Sequence, residues 1–149
     1  MSSEFAYTFP GGKLRQITIA ATAGNVVTNL SPGAGKRWLM QYGTLTLTCS
    51  LDVANRGLVL QLTDGTNVVH NLGYSTTNSV ATQTKKFDLG PTVATRGWTA
   101  GTGAGTHNEY MALQQPLVIE GSQQFRIAIV TGQAADSYEG YFYVLEIAI

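Results

Sequence analysis

Hydrophobic and polar residues alternate along most of the chain with a period of two, which is typical of β-strands that bury one face. The clearest runs cover residues 14–20, 58–62 and 125–130, and Gly, Pro, Asn and Asp residues mark turns between such runs. No segment shows the 3.6-residue period of an amphipathic helix. The pattern predicts an all-β fold, an antiparallel β-sandwich or jelly roll of about 8–10 strands.

The strongest apolar stretch, residues 36–62, predicts two long strands joined by a polar turn. In the first of these strands the apolar side changes at Gly43, from the face of Trp38 and Tyr42 to the face of Leu45 and Leu47. A glycine at such a change of face commonly marks a bulge or a bend. We therefore expect one long strand that serves two parts of the sandwich.

The last strand, residues 138–149, is apolar on both faces. Tyr141 and Tyr143 lie on one face, and Phe142 and Val144 lie on the other. A strand with two apolar faces is covered on both sides, either in the centre of the sandwich or against another subunit. Phe142 and Val144 are accordingly predicted to contact a partner.

The N-terminal residues 1–12 are predicted to form an extended arm, followed by one sandwich domain over residues 13–149. Phe5, Tyr7 and Phe9 alternate along this arm, which ends in Pro-Gly-Gly. Two interpretations fit the spacing. The segment is an ordinary first strand of its own sandwich, or it lies on a neighbouring subunit with the three aromatic residues as contacts, since aromatic residues dominate interface energetics.

Composition narrows the choice of partners. The 149 residues suit one domain, and nine basic residues balance nine acidic ones at only 12% charged residues. This charge gives no attraction for nucleic acid, and no stretch is long and apolar enough to span a membrane. Without a secretion signal, we expect synthesis in a cytoplasm. A weakly charged exterior favours self-association or assembly with other proteins.

Motifs for catalysis or metal binding are weak. The Gly-Lys pair at residues 35–36 does not belong to a phosphate-binding loop. That motif requires Gly and Ser or Thr at the two positions that Leu30 and Arg37 occupy here. Single residues fit structural roles. Cys49 is predicted to be a buried thiol, and His70 is predicted to be a half-exposed strand residue. The sequence predicts no catalytic residue, no cofactor and no metal site.

Two further features have a structural and a functional interpretation. His107 and Glu109, near the end of the long Gly- and Thr-rich loop 92–108, share a face and could act as an acid–base pair, but no nucleophile accompanies them. Lys85 and Lys86 point to opposite faces of a strand, where we expect them to protect a sheet edge from unwanted pairing.

Several short motifs resemble those of small structural proteins encoded by tailed bacteriophages. They are Gly35 to Trp38, Thr44 to Thr48, Val53 to Arg56, Leu60 to Gly65, Ala81 to Thr84 with Phe87, the Leu-Val-Ile-x-Gly turn at Leu117 to Gly121, and the Ala-x-Asp-Ser-Tyr loop before Glu146. The resemblance spans residues 30–149 and does not include the arm. The motifs that carry the resemblance lie at turns and strand ends.

This resemblance implies a non-enzymatic virion component with a jelly-roll-like domain. The implied role is that of a capsid decoration, or cement, protein, which sits on the outside of the major capsid protein lattice as a homotrimer. The alternative is a carbohydrate- or receptor-binding module associated with the tail. In that case Trp38, Tyr74, Trp98 and Tyr138 would stack on sugar rings.

Overall fold

The computed structural model describes residues 11–75, 78–90, 105–113 and 117–149, with the backbone only for residues 105–107. The predicted arm contacts Phe5, Tyr7 and Phe9 lie outside these residues, as does Trp98.

Strands dominate the described residues, and none of those residues is helical. The all-β prediction is therefore confirmed. The ten strands are β1 (Gly12–Ala23), β2 (Thr28–Leu30), β3 (Lys36–Thr48), β4 (Gly57–Thr63), β5 (Val68–Tyr74), β6 (Gln83–Gly90), β7 (Gly105–Ala112), β8 (Val118–Glu120), β9 (Gln124–Val130) and β10 (Ser137–Ala148).

The strands form two sheets that pack as a sandwich. The six-stranded sheet has the order β1-β10-β3-β6-β7, and β8 also pairs with β3. The four-stranded sheet has the order β2-β9-β4-β5. All of the pairings are antiparallel except that of β6 with β7, which is parallel. The sequence pattern does not predict this parallel pair, which makes a strand of residues 105–108, where the pattern predicts a loop.

The last strand, β10, is central, as one of the two predicted arrangements requires, because it lies between β1 and β3. Its Phe142 meets Phe125 of the opposite sheet edge-to-face, with 4.9 Å between ring centroids. Phe142 and Val144 are 0% exposed in this core. The prediction that these two residues contact a partner is therefore wrong, since the chain's own second sheet covers them.

The predicted irregularity in β3 is present as a bulge. Tyr42 pairs with Tyr143 while Met40 pairs with Val144, so Gln41 is one extra residue. The extra residue keeps Met40 in the core and turns Tyr42 outward, which corrects the expectation that Tyr42 shares the face of Trp38. On either side of the bulge β3 has different neighbours, β8 at one end and β6 at the other.

The two adjacent lysines of β6 have different environments. They point to opposite faces as predicted, and Lys86 is exposed. Lys85, however, is buried and forms an ion pair with Glu109 of β7. The prediction of edge protection is wrong, because β6 lies between β3 and β7 and is not an edge strand.

Candidate functional site

Three tyrosines cluster on the outer face of the six-stranded sheet. The rings of Tyr42 and Tyr143 stack with 4.8 Å between centroids and 27° between planes. Tyr141 meets Tyr143 edge-on at 5.6 Å. The Tyr143 hydroxyl also donates a hydrogen bond to Gln16 Oε1 at 3.3 Å. We call the surface around these three tyrosines the tyrosine face.

The tyrosine face exposes apolar surface. Tyr42 is 51% exposed and Leu14, on the neighbouring edge strand, is 58% exposed. Burial raises the pKa of the Tyr42 phenol, and the phenols of Tyr143 and Tyr141 raise it further, which agrees with close packing of the three hydroxyl-bearing rings. Such clusters of aromatic side chains, apolar in the ring and polar at the tip, are enriched in protein interfaces.

Next to the tyrosines, the same face has a shallow depression. It is lined by Thr18, Thr44 and Thr46 together with Lys86, Glu139 and Tyr141. Ile19, Ala20 and Gly140 complete the lining, which is therefore mixed in polarity, and the lysine and glutamate carry opposite charges. The depression is open to solvent and holds no convergent set of acid, base and nucleophile. It therefore extends the tyrosine face and does not resemble an active-site cleft.

Inside the sandwich, a buried ion pair joins two loops. Arg56 Nε donates to Asp136 Oδ2 at 2.9 Å and Nη2 donates to Oδ1 at 3.0 Å, with both side chains 0% exposed. Arg56 also donates to the Ala54 carbonyl and to Ser50 Oγ. The backbone N–H groups of Ser50 and Gln133 donate to the same carboxylate.

These contacts set the charge state of the pair. Burial by itself would raise the pKa of Asp136, but the hydrogen bonds from Arg56 and from the two backbone N–H groups outweigh it and lower the pKa to about 2. The hydrogen bond to Asp136 in turn raises the pKa of Arg56. Both groups are therefore charged at neutral pH, and the pair fastens the β3–β4 loop to the β9–β10 loop.

Sequence reasoning missed this pair, which has a structural role. Arg56 and Asp136 are 80 positions apart in segments rich in turn residues, where charged side chains are normally solvated. Both lie in short segments that the sequence analysis singled out, Val53 to Arg56 and the Ala-x-Asp-Ser-Tyr loop, and the buried ion pair holds these two loops together.

The proposed acid–base residues lie on β7. Glu109 is buried and pairs with the ammonium of Lys85, which lies 5.2 Å from the centroid of the Phe87 ring. A carboxylate neutralised by a buried lysine is a poor candidate for a general base exposed to substrate. Glu109 therefore has a structural role in its ion pair with Lys85, and this pair supplies no nucleophile.

Of the residues predicted to stack on sugars, the three that the structure describes do not form one surface. Trp38 is buried, and its Nε1 donates to Glu146 Oε2 at 3.0 Å. Tyr138 is also buried, with its hydroxyl bonded to Thr28 Oγ1 at 2.6 Å and to the Val26 carbonyl at 2.8 Å. Of this set Tyr74 is exposed, on the four-stranded sheet.

The remaining single residues agree with their simplest interpretations. Cys49 is buried and free, and burial raises the pKa of its thiol. His70 is exposed on β5. Residues 31–35 form a turn between β2 and β3, where Gly33 and Gly35 adopt positive φ values of 85° and 71°. A strand follows this turn, whereas a phosphate-binding loop precedes a helix.

Within the described ranges, no three His, Cys, Asp or Glu residues are placed to hold a metal ion. The same ranges contain no helix able to cross a membrane. Comparisons with family models, with curated proteins and with solved structures found no match for this chain.

Proposed function

We propose that this chain is a non-enzymatic bacteriophage structural protein that decorates the outside of the capsid and stabilises it by bridging capsid subunits. The observation that carries the proposal is the exposed tyrosine face. It offers aromatic and aliphatic surface with little charge, the composition that protein interfaces favour at their centre. The tyrosine face replaces Phe142 and Val144 as the docking surface.

The size of the outer face suits a stable interface. Strands of 12 or 13 residues, such as β1, β3 and β10, extend about 40 Å at 3.3 Å per residue. Four adjacent strands cover roughly 19 Å in the other direction. The product, roughly 750 Å², is close to the ~800 Å² that each partner contributes to a standard interface.

Strand order supports the jelly-roll part of the proposal. Eight strands can be written as two facing sets, β1-β10-β3-β8 and β2-β9-β4-β5. Most consecutive strands of these sets lie in opposite sheets and are joined by short loops, with one long connection from β5 to β8, as expected for paired Greek keys. The β6–β7 pair then extends the first sheet. Jelly rolls of this kind are common in viral capsid proteins, although the fold alone does not fix a function.

The test is binding to phage particles. We expect the purified chain to sediment with particles from which it has been stripped, and to raise the temperature at which they release DNA. Tyr42→Ser and Tyr143→Ser should weaken this binding at least tenfold, because truncating a central aromatic contact costs about 2 kcal/mol or more. Light scattering of the purified chain should give the mass of a homotrimer.

Tyr74→Ser is the matched control, since it makes the same chemical change at a similarly exposed tyrosine on the opposite sheet. It should leave particle binding unchanged. Equal loss in both variants would show that tyrosine removal acts indirectly. Electron micrographs that locate the chain on the tail would contradict capsid decoration.

A further inference from the structure

The outer face of the four-stranded sheet carries a row of polar side chains, one from each strand. Asn29 pairs with Arg126, Arg126 with Gln61, and Gln61 with Asn71. Residues directly opposite each other in neighbouring strands point to the same face, so the four side chains form one line across the sheet. At about 4.8 Å between strands this line is roughly 14 Å long.

Arg126 has no partner of its own. Within the described part of the chain its guanidinium makes no ion pair and no hydrogen bond, and its Nε is shielded from solvent without an acceptor. Arg56, which is fully buried, satisfies its donors with a carboxylate and a carbonyl. Arg126 as a whole is only partly buried, so an anion from solution can pair with its guanidinium without displacing a carboxylate of the described residues.

The neighbours of Arg126 can donate and accept hydrogen bonds without adding charge. Gln61 Nε2 donates to Asn71 Oδ1 at 2.9 Å, which fixes the two carboxamides relative to each other. On this line Gln61 is half-buried, and Asn71 and Asn29 are exposed. Each carboxamide offers both a donor and an acceptor, as the hydroxyl groups of a sugar require.

An aromatic ring flanks the row. Tyr74 pairs with Val59 in the adjacent row and is 56% exposed. An exposed tyrosine beside an apolar residue offers a ring face to the C–H side of a sugar, while its hydroxyl remains in water. The surface therefore combines one cation, three carboxamides and one aromatic ring.

We propose that this row binds an oligosaccharide that carries a carboxylate, with the sugar carboxylate paired to Arg126 and a sugar ring against Tyr74. A planar guanidinium matches a carboxylate in a two-bond arrangement, and the carboxamides match the hydroxyls on either side. A nucleic acid would need several cations along its backbone, whereas the row supplies one. The site lies on the sheet opposite the tyrosine face. One molecule can therefore dock on a shell through the tyrosine face and still expose the Arg126 row to solvent.

The first measurement is a glycan array containing neutral, uronic, sialylated and sulfated glycans. A tetramer of galacturonic acid and its fully methyl-esterified, uncharged counterpart are then titrated by calorimetry. We expect the acid to bind at least tenfold more tightly than the ester. Arg126→Gln should remove that preference, Arg126→Lys should retain part of it, and Tyr74→Ser should weaken both ligands.

Lys13→Gln is the charge control, because it removes an exposed positive charge from the other sheet. Equal weakening by Lys13→Gln and Arg126→Gln would reduce the effect to general charge and overturn the site. Equal binding of acid and ester, no binding to any carboxylated glycan, or binding confined to sulfated glycans or to oligonucleotides would also overturn it. Tyr42→Ser should leave glycan binding intact, so this site and particle docking can fail separately.

Discussion

The buried pair of Arg56 and Asp136 predicts a large and pH-dependent loss of stability in the variant Asp136→Asn. The substitution keeps the size of the side chain but leaves the Arg56 charge without its counter-ion in a site that is 0% exposed. Breaking a buried pair by removing one partner costs about 3–5 kcal/mol. For a domain of this size that corresponds to a fall in Tm of about 6–20 °C.

The pKa of Asp136 gives a second value for the stability that the ion pair contributes, and it gives the direction in which that stability changes with pH. Its fall from 3.8 to about 2 on folding corresponds to stability on the order of 2 kcal/mol at neutral pH. Because the folded-state pKa is the lower one, this stabilisation is complete above the unfolded-state value. It is lost as the pH falls from about 4 through 2.

Denaturation by urea, followed by tryptophan fluorescence between pH 2 and pH 7, measures both effects. The original protein should lose stability steeply below pH 4, and Asp136→Asn should start lower and lack that part of the slope. Glu139→Gln, which neutralises an exposed carboxylate three residues away, is the control and should stay within about 0.5 kcal/mol of the original protein. Equal stability and equal acid dependence of the original protein and Asp136→Asn would refute the reasoning.

Three further predictions concern the core. Lys85→Met should cost about 3–5 kcal/mol of unfolding free energy because it removes the buried ammonium that pairs with the Glu109 carboxylate, whereas the same change at the exposed Lys86 should cost less than about 0.5 kcal/mol. Gly140→Ala should destabilise by about 3 kcal/mol or more, because the new methyl group would lie 2.0 Å from a carbonyl oxygen of β3, while Gly57→Ala meets its nearest atom at 3.4 Å and should be tolerated. Since burial raises the pKa of the Cys49 thiol, alkylation by iodoacetamide should occur only at the rate of unfolding, and fast labelling of the native protein at pH 8 would contradict its placement.

Local patterns were sufficient for most strands. The run at residues 125–130 predicted β9 almost to the residue, since its alternation is unbroken and turn residues flank it. The Asp64-Gly65 pair correctly predicted a hairpin, in which the Asp64 carboxylate accepts from the backbone N–H groups of Thr66 and Asn67. By contrast, the sequence predicts a start for β7 that is too late in the chain. Its first residues are Gly, Thr and His, and they form a strand because they pair in parallel with β6.

Candidate surfaces were harder to predict. To predict the tyrosine face, one must know which of the two apolar faces of β10 the second sheet covers. The alternation of Tyr141, Phe142 and Tyr143 is the same whichever face is covered. The bulge at Gln41 then decides the outward direction of Tyr42. The row around Arg126 depends on the register of four strands that come from distant parts of the sequence.

The sequence by itself determined that this chain is a β-protein with a nearly neutral exterior, because a period of two and the positions of turn residues act over a few neighbouring residues. Only the tertiary structure decided which charges are buried and which aromatic residues remain in water. Burial depends on strand order and register, which bring together residues such as Arg56 and Asp136 from separate loops. A shift of one residue in register would exchange the two faces of a strand, so the binding surfaces are set by pairing and packing.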